Sequence, residues 1–241
     1  MFQLEHYNIL IATPGKLIHG EYVKSLVETT KWLNQRGLTY KFLNAGSSLV
    51  AHAREMTAID KKESNWDTNE IGSGEYTYDR IVWIDSDIIW GQDAFEKLIT
   101  SEHEIISGMY YTQIGDMSVS VSKFAPDGKS PINCKELDFF FEDEPLEVFG
   151  VGFGFISMKS GVFERMQRPW FRIERIDHPA KNIVLDIGED YSWCMNARRA
   201  GFKVMLDPNC KKEITYYEKT WVCECPHNQE KKEQDINLSG D

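Results

Sequence analysis

Short apolar runs alternate along the chain with segments of helical period, and that alternation predicts the architecture. Residues 7–12 read as a first strand ending at Thr13-Pro14-Gly15, because proline cannot continue a central strand. Val23, Leu26, Val27, Thr30 and Leu33 follow at helical spacing, with Gly37 as the C-terminal stop. Residues 38–43 give a second strand. Ala45-Gly46-Ser47-Ser48 reads as a turn and N-cap before a helix over 49–60, with Leu49, Val50, Ala53 and Met56 on one face. Ile81-Val82-Trp83-Ile84 is a continuous apolar run, as expected of a strand buried on both faces of a largely parallel sheet. A helix at 92–100 would bury Ala94, Phe95, Leu98 and Ile99, and Ile105 to Tyr111 is another strand. Residues 61–79 are polar, and 112–147 lack a clear period; both are expected to be exposed loops. No internal repeat is visible.

The second half carries denser signals. Between Val148 and Ile156 a glycine stands at every second position, Gly150, Gly152 and Gly154. One face of such a strand has no side chains, so another backbone or a ligand can approach closely. The spacing is not a dinucleotide fingerprint, since no helix opens at the last glycine. Ser160 is expected to cap a short helix carrying Val162, Phe163 and Met166. Gly188-Glu189-Asp190 then opens a helix that continues through Cys194, Met195 and Arg198 to Gly201. Acids in its first turn complement the helix dipole. Residues 202–206 return as a strand. Strands alternating with helices imply a parallel sheet wrapped by helices, an α/β fold. From 223 onward the chain is polar with little to bury, which divides it into a domain over 1–222 and a mobile tail over 223–241.

Composition narrows the function. At 241 residues the chain is long enough for one α/β domain with a sizeable core, and its net charge of −11 argues against nucleic acid as a partner. The charge is compatible with recruiting a divalent cation before an anionic substrate. The five cysteines are scattered without paired spacing, as expected in a reducing compartment, and Cys223-x-Cys225 with His227 is too sparse for a metal framework. No apolar run approaches the length of a membrane span, and Met1 to His6 show neither a basic region nor a long apolar stretch, so a cytoplasmic location is expected.

The chemistry centres on Asp85-Ser86-Asp87, directly after the apolar run. In open α/β sheets ligands bind outside the carboxyl ends of the strands. If the chain stays extended through Ser86, both carboxylates project to one side. Two hard oxygen donors suit Mg²⁺ or Mn²⁺, with positions left for phosphate oxygens.

The ordered set of features resembles the GT-A-fold nucleotide-sugar glycosyltransferases, particularly small members of the family-2-like group. It comprises Thr13-Pro14 after the first strand, Ala53-Arg54 on a helix, and Trp83-Ile84-Asp85-Ser86-Asp87. The glycine-alternating strand before Val162-Phe163-Glu164, and Gly188-Glu189-Asp190 followed by Arg198 and Gly201-Phe202, complete it. The resemblance spans residues 7–208 and implies a GT-A-like mixed, mostly parallel sheet. It implies that Thr13 and Pro14 border the nucleotide and that Arg54 packs over it. Asp85, with Ser86, approaches the ribose and metal, and Asp87 binds the metal bridging the diphosphate. Asp190, with Glu189 beside it, is placed near the acceptor as general base.

Two departures from the family pattern stand out. Glu55 follows Arg54 where many relatives have asparagine, and no histidine stands between Asp207 and Trp221 as a further metal ligand. His227, Glu213, Glu218 or water is left for that position. Trp83, Trp90 and Trp193 are read as core and His52 as helix surface. Trp170 is expected to be the exposed aromatic that stacks on an acceptor sugar, and His178 to lie in a loop near the acceptor.

The expected activity is metal-dependent transfer of a sugar from a nucleotide-sugar, with UDP the expected nucleotide, to a hydroxyl of a glycan or other acceptor. The alternatives are a sugar nucleotidyltransferase, whose glycine-rich basic loop Ala12-Thr13-Pro14-Gly15-Lys16 does not match, and a non-catalytic nucleotide- or carbohydrate-binding module, which has no need of two acidic sites.

Overall fold

The computed structural model describes residues 4–60, 68–111, 118–128, 131–139, 142–177, 184–212 and 215–216. The elements of the first half are β1 (Glu5–Pro14), α1 (Gly20–Gln35), β2 (Tyr40–Ala45), α2 (Val50–Ile59), β3 (Tyr76–Ile84), β4 (Ile88–Ile89), α3 (Gln92–Thr100) and β5 (Ile105–Gly108). They are followed by β6 (Ser118–Phe124), β7 (Pro131–Lys135), β8 (Leu146–Glu147), β9 (Gly150–Val151) and β10 (Phe155–Lys159). The chain continues through β11 (Glu174–Asp177), β12 (Val184–Ile187), α4 (Glu189–Arg199), β13 (Met205–Asp207) and β14 (Thr215–Tyr216).

The fold is α/β. A seven-stranded sheet runs in the order β2-β1-β3-β10-β5-β13-β8. Strands β1, β2 and β3 are mutually parallel, as are β5 and β13, while β10 and β8 run against their neighbours. The sheet is therefore mixed and mostly parallel. Alternation along its central strands divides the core in two. Leu10, Ala12, Ile81 and Trp83 face a layer that includes Ala58 of α2 and Trp193 of α4. Ile9, Ile11, Val82 and Ile84 face Tyr22 and Trp32 of α1 and Phe95 of α3. Burial on both faces explains why residues 81–84 read as an uninterrupted apolar run.

Both N-terminal helices bury faces rotated from the apolar stripes predicted for them, of which Leu33 in α1 and Ala53 in α2 are buried as expected. In α1 the buried residues are Tyr22, Ser25, Thr29, Trp32 and Leu33, and Val23 and Val27 are 44% and 59% exposed. Trp90 accounts for the rotation. Its indole N–H donates to Thr29 Oγ1 at 2.8 Å and its backbone N–H to Ser25 Oγ at 3.3 Å, so a buried donor is satisfied from the helix. Helix α2 buries Ala53, Arg54, Glu55, Thr57, Ala58 and Ile59, whereas Leu49 and Val50 are exposed. Its N-cap is Leu49, with no side-chain cap. A face carrying charges inward depends on distant partners, which hydrophobic periodicity does not register. The stop at Gly37 is as expected: it adopts φ +67°, and Leu38 N–H returns to Leu33 O at 3.0 Å.

The stretch 112–147 is not a solvated loop where it is described. Strands β7, β6 and β9 form a second, three-stranded sheet. Val119 and Val121 of β6 are buried, but so are Ser120 and Ser122, so the serine alternation does not mark a solvent face. The glycine-rich stretch is two strands, β9 and β10, with a break between them. The close approach there comes from aromatic rings. A Cβ at Gly152 would lie 2.2 Å from Tyr110 Oη, one at Gly154 2.5 Å from Tyr110 Cζ, and one at Gly150 2.9 Å from Tyr191 Cδ1. After Ser160 the chain makes successive turns rather than a helix, yet Val162, Phe163 and Met166 are buried as expected. The tail from 223 lies outside the described residues.

Candidate functional site

The site forms where β3, α2 and α4 meet at the carboxyl end of the sheet. Asp85 leaves β3 with its N–H donated to Gly154 O at 3.0 Å. Ile88 N–H then returns to Asp85 O at 3.0 Å, closing a turn over Ser86 and Asp87. The extended geometry that would have aligned Asp85 and Asp87 on one side therefore stops at Asp85. Ser86 O accepts from His19 N–H at 2.9 Å, which ties the turn to the start of α1. The loop after β1 lies against the same turn, since a Cβ at Gly15 would come within 3.4 Å of Ser86 Oγ. Thr13 and Pro14 are buried at the end of β1. The Thr13 hydroxyl hydrogen-bonds the Tyr22 hydroxyl, and Thr13 O accepts from Asn44 Nδ2 at 2.7 Å.

Arg54 binds the acidic stretches together. Its Nη2 donates to Asp85 Oδ2 at 3.3 Å, and its Nη1 lies in ion-pair contact 3.0 Å from Oδ1. Its Nε reaches Glu189 Oε1 at 3.4 Å. The guanidinium carbon sits 5.2 Å from the centroid of Phe153, adding a cation–π contact. Burial works against the charge, but Asp85 and Glu189 outweigh it and hold the arginine pKa above its ordinary value.

Asp190 has the opposite environment. Gly188 caps α4, so Glu189 and Asp190 occupy its first turn, and Asp190 Oδ1 accepts from Tyr191 N–H at 2.8 Å. Burial first, and the neighbouring Glu189 charge second, push the Asp190 carboxyl from the ordinary 3.8 up to about 6, against smaller opposing pulls from the Tyr191 amide and Arg54. A carboxyl poised near 6 is suited to accept a proton close to neutral pH.

Beside Asp190 lies a cavity of about 340 Å³, lined by Tyr110, Ser118, Val119, Ser120, Asn133, Cys134, Gly152 and Tyr191 as well. Tyr110 Oη accepts from Gly154 N–H at 2.9 Å, and Tyr191 Oη pairs with Ser122 Oγ at 2.8 Å. Among these lining residues the sequence marks Asp190 as a site residue and Gly152 as part of a stretch open to close approach, and Tyr191 carries a signal in its place directly after Gly188-Glu189-Asp190.

Other expected positions take different parts. Trp170 is fully buried, with its indole N–H donating to Phe163 O at 2.9 Å, so it is core and not a sugar-stacking surface. Glu55 is also buried. It accepts from Phe171 N–H at 2.9 Å and lies 3.6 Å from Arg168, so it braces the 168–171 segment from the side of α2. Trp83, Trp90 and Trp193 are core as expected, and His52 is on the helix surface. His178, Glu213, Glu218 and His227 lie outside the described residues.

Among the described residues no three His, Cys, Asp or Glu side chains converge into a metal cluster. The fit of a divalent ion therefore rests on Asp85 and Asp87. Both are partly accessible carboxylates on one turn, the hard oxygen type that such ions take, with the Asp85 oxygens also lying 3.0 and 3.3 Å from Arg54. No described helix is long and apolar enough to cross a membrane, and the described cysteines, Cys134, Cys194 and Cys210, are free thiols.

No protein-family model matches the sequence, and no curated protein matches it either. Solved structures similar to it include A197 from STIV, at 17% identity and a TM-score of 0.45, covering 84% of this chain and 81% of that one. The catalytic domain of Drosophila beta1,4-galactosyltransferase 7 in complex with xylobiose is also similar, at 13% identity and a TM-score of 0.48, covering 89% and 72%. A mutant of that enzyme with manganese, UDP-Gal and xylobiose gives 12% identity and a TM-score of 0.46 over 89% and 72%.

Proposed function

We propose that this protein is a metal-dependent GT-A-type glycosyltransferase that moves a sugar from a nucleotide-sugar, with UDP the favoured nucleotide, to an acceptor hydroxyl. The observation that carries this reading is the convergence, on one buried guanidinium, of the Asp85 strand end and the Glu189-Asp190 helix start, with Asp190 pushed up to about 6. A nucleotidyltransferase or a simple binding module gives no reason to keep a proton-accepting carboxyl there.

In this reading Asp85 and Asp87 hold Mg²⁺ or Mn²⁺, which supplies Lewis-acid stabilisation to the nucleoside diphosphate leaving group. Ser86 borders the nucleotide together with the loop at Gly15, which lies beside it, and Thr13 and Pro14, both buried, hold that loop in place from the end of β1. Arg54 orients Asp85 and Glu189 and offsets the negative charge collected at the site. Asp190 accepts the proton of the acceptor hydroxyl as that oxygen attacks the anomeric carbon, a contribution of about 10²–10⁴ in rate. Glu189 supports Asp190 by raising its affinity for the proton.

Calorimetric titration with UDP, GDP and CDP, each with and without Mn²⁺, tests the donor site. Metal-dependent binding of one of them, lost in Asp87→Ala, is expected. Absence of binding by all three rules out the donor-site assignment.

A further inference from the structure

The cavity beside Asp190 is selective in its chemistry. Its lining supplies the hydroxyls of Tyr110, Ser118, Ser120 and Tyr191 and the amide of Asn133, with Val119, Cys134 and Gly152 between them. No lysine or arginine is among these described lining residues, and the one charged group is the Asp190 carboxyl. A phosphate or carboxylate would face the like charge of Asp190, and the nearby cation, Arg54, is already paired with Asp85 and Glu189. The polar groups instead match a ligand that both donates and accepts hydrogen bonds while remaining neutral. About 340 Å³ is near the lower end of ligand pockets, which run from roughly 300 to 1,000 Å³, so it holds a ring rather than an extended chain.

Ser120 adds a second, independent observation. It is 5% exposed, and its hydroxyl, enclosed in the cavity wall, has no hydrogen-bond partner among the described residues. The backbone around it is fixed on both sides: Ser120 N–H donates to Tyr110 O at 3.0 Å, and Ser120 O accepts from Gly152 N–H at 2.8 Å. Rotation about χ1 is the freedom left to the side chain. A buried hydroxyl left unsatisfied in a wall of otherwise engaged groups signals a missing partner.

We infer that this cavity binds one ring of a neutral, polyhydroxylated ligand, a single sugar unit, and that Ser120 turns its hydroxyl onto that ring as a specificity-determining residue. The role of this sugar as the acceptor rests on the transfer reading above; recognition of the ring does not require the donor.

Saturation-transfer NMR on the full chain tests it, using the methyl pyranosides of glucose, galactose, mannose and xylose, with inorganic phosphate, followed by its phosphorus-31 line broadening, as the anionic probe. At least one glycoside is expected to bind, undisturbed by phosphate. Ser120→Ala is expected to weaken that binding about 3–10-fold, the effect of one hydrogen bond. Ser118→Trp, which fills the cavity from its rim, is expected to abolish it, with unchanged circular dichroism in both variants. Failure of every glycoside to bind, phosphate binding in their place, or undiminished affinity in Ser120→Ala would overturn the inference. Glycoside binding without nucleotide binding upholds this inference and removes the transferase reading; nucleotide binding without glycoside binding does the reverse.

Discussion

The two acidic ends of the site contrast sharply, although aspartate is the residue type at both. Asp85 stands at the end of β3 with its carboxylate in contact with both terminal nitrogens of Arg54. Asp190 stands in the first turn of α4, where burial and the charge of Glu189 push it up to about 6. One carboxylate is held in an ion pair with a buried arginine, and the other sits where it can exchange a proton near neutrality. The difference comes from which neighbours the fold supplies, and Arg54 is positioned to act on both.

The contrast can be broken most severely at Asp190. Asp190→Asn is expected to lower transfer by about 10²–10⁴ while leaving nucleotide binding nearly intact, as read by single-turnover assays beside calorimetry. Full activity in that variant removes the base assignment.

Removing the shared cation comes next. Arg54→Met leaves Asp85 and Glu189 without their counter-charge, at a cost of about 3–5 kcal/mol in urea unfolding at pH 7. It is also expected to raise the Asp190 pKa further, because Arg54 lowers it in the intact protein.

The pH profile sharpens the comparison. Transfer is expected to fall as pH drops through about 6, because Asp190 protonates there, and this limb is expected to vanish in Asp190→Asn. Stability moves the other way. The fold raises this carboxyl from 3.8 to about 6, so it favours the protonated form, and its unfavourable contribution grows as pH rises between those values and is fully present above them. Asp190→Asn is accordingly expected to stabilise the fold at pH 7, by about 1–3 kcal/mol, and to have little effect at pH 3.5. An unchanged unfolding midpoint at both pH values contradicts the assigned burial. The smallest effect is expected on the exposed side of α1, where Val27→Ser should change stability by no more than about 0.5 kcal/mol.

The sheet was legible in the sequence where both faces of a strand are apolar. Ile81 to Ile84 is buried throughout and reads directly as a strand, and α3 buries Ala94, Phe95 and Leu98 at helical spacing. Legibility failed where burial is polar. The inward faces of α1 and α2 carry Ser25, Thr29, Arg54 and Glu55, whose partners Trp90, Asp85, Glu189 and Phe171 lie between 31 and 135 residues away. The stretch 112–147 lacked a clear period for the same reason, because β6 buries Ser120 and Ser122 as well as Val119 and Val121. Trp170 illustrates the converse: a large aromatic after Arg168-Pro169 gave no sign that its indole N–H would find Phe163 O in the core.

The sequence alone determined the alternation of the main strands and helices from β1 to β5, the strand end that carries Asp85 and Asp87, and the helix start that carries Glu189 and Asp190. These depend on period, on turn residues and on the run of apolar side chains, all of which are local. Only the tertiary structure decided that a single arginine bridges the two acidic ends, that the chain turns over Ser86 and Asp87 instead of staying extended, and that β6, β7 and Tyr191 enclose a polar cavity beside Asp190. Those outcomes depend on charges and hydroxyls finding partners across long separations, where the cost of burial is met only once the chain has folded.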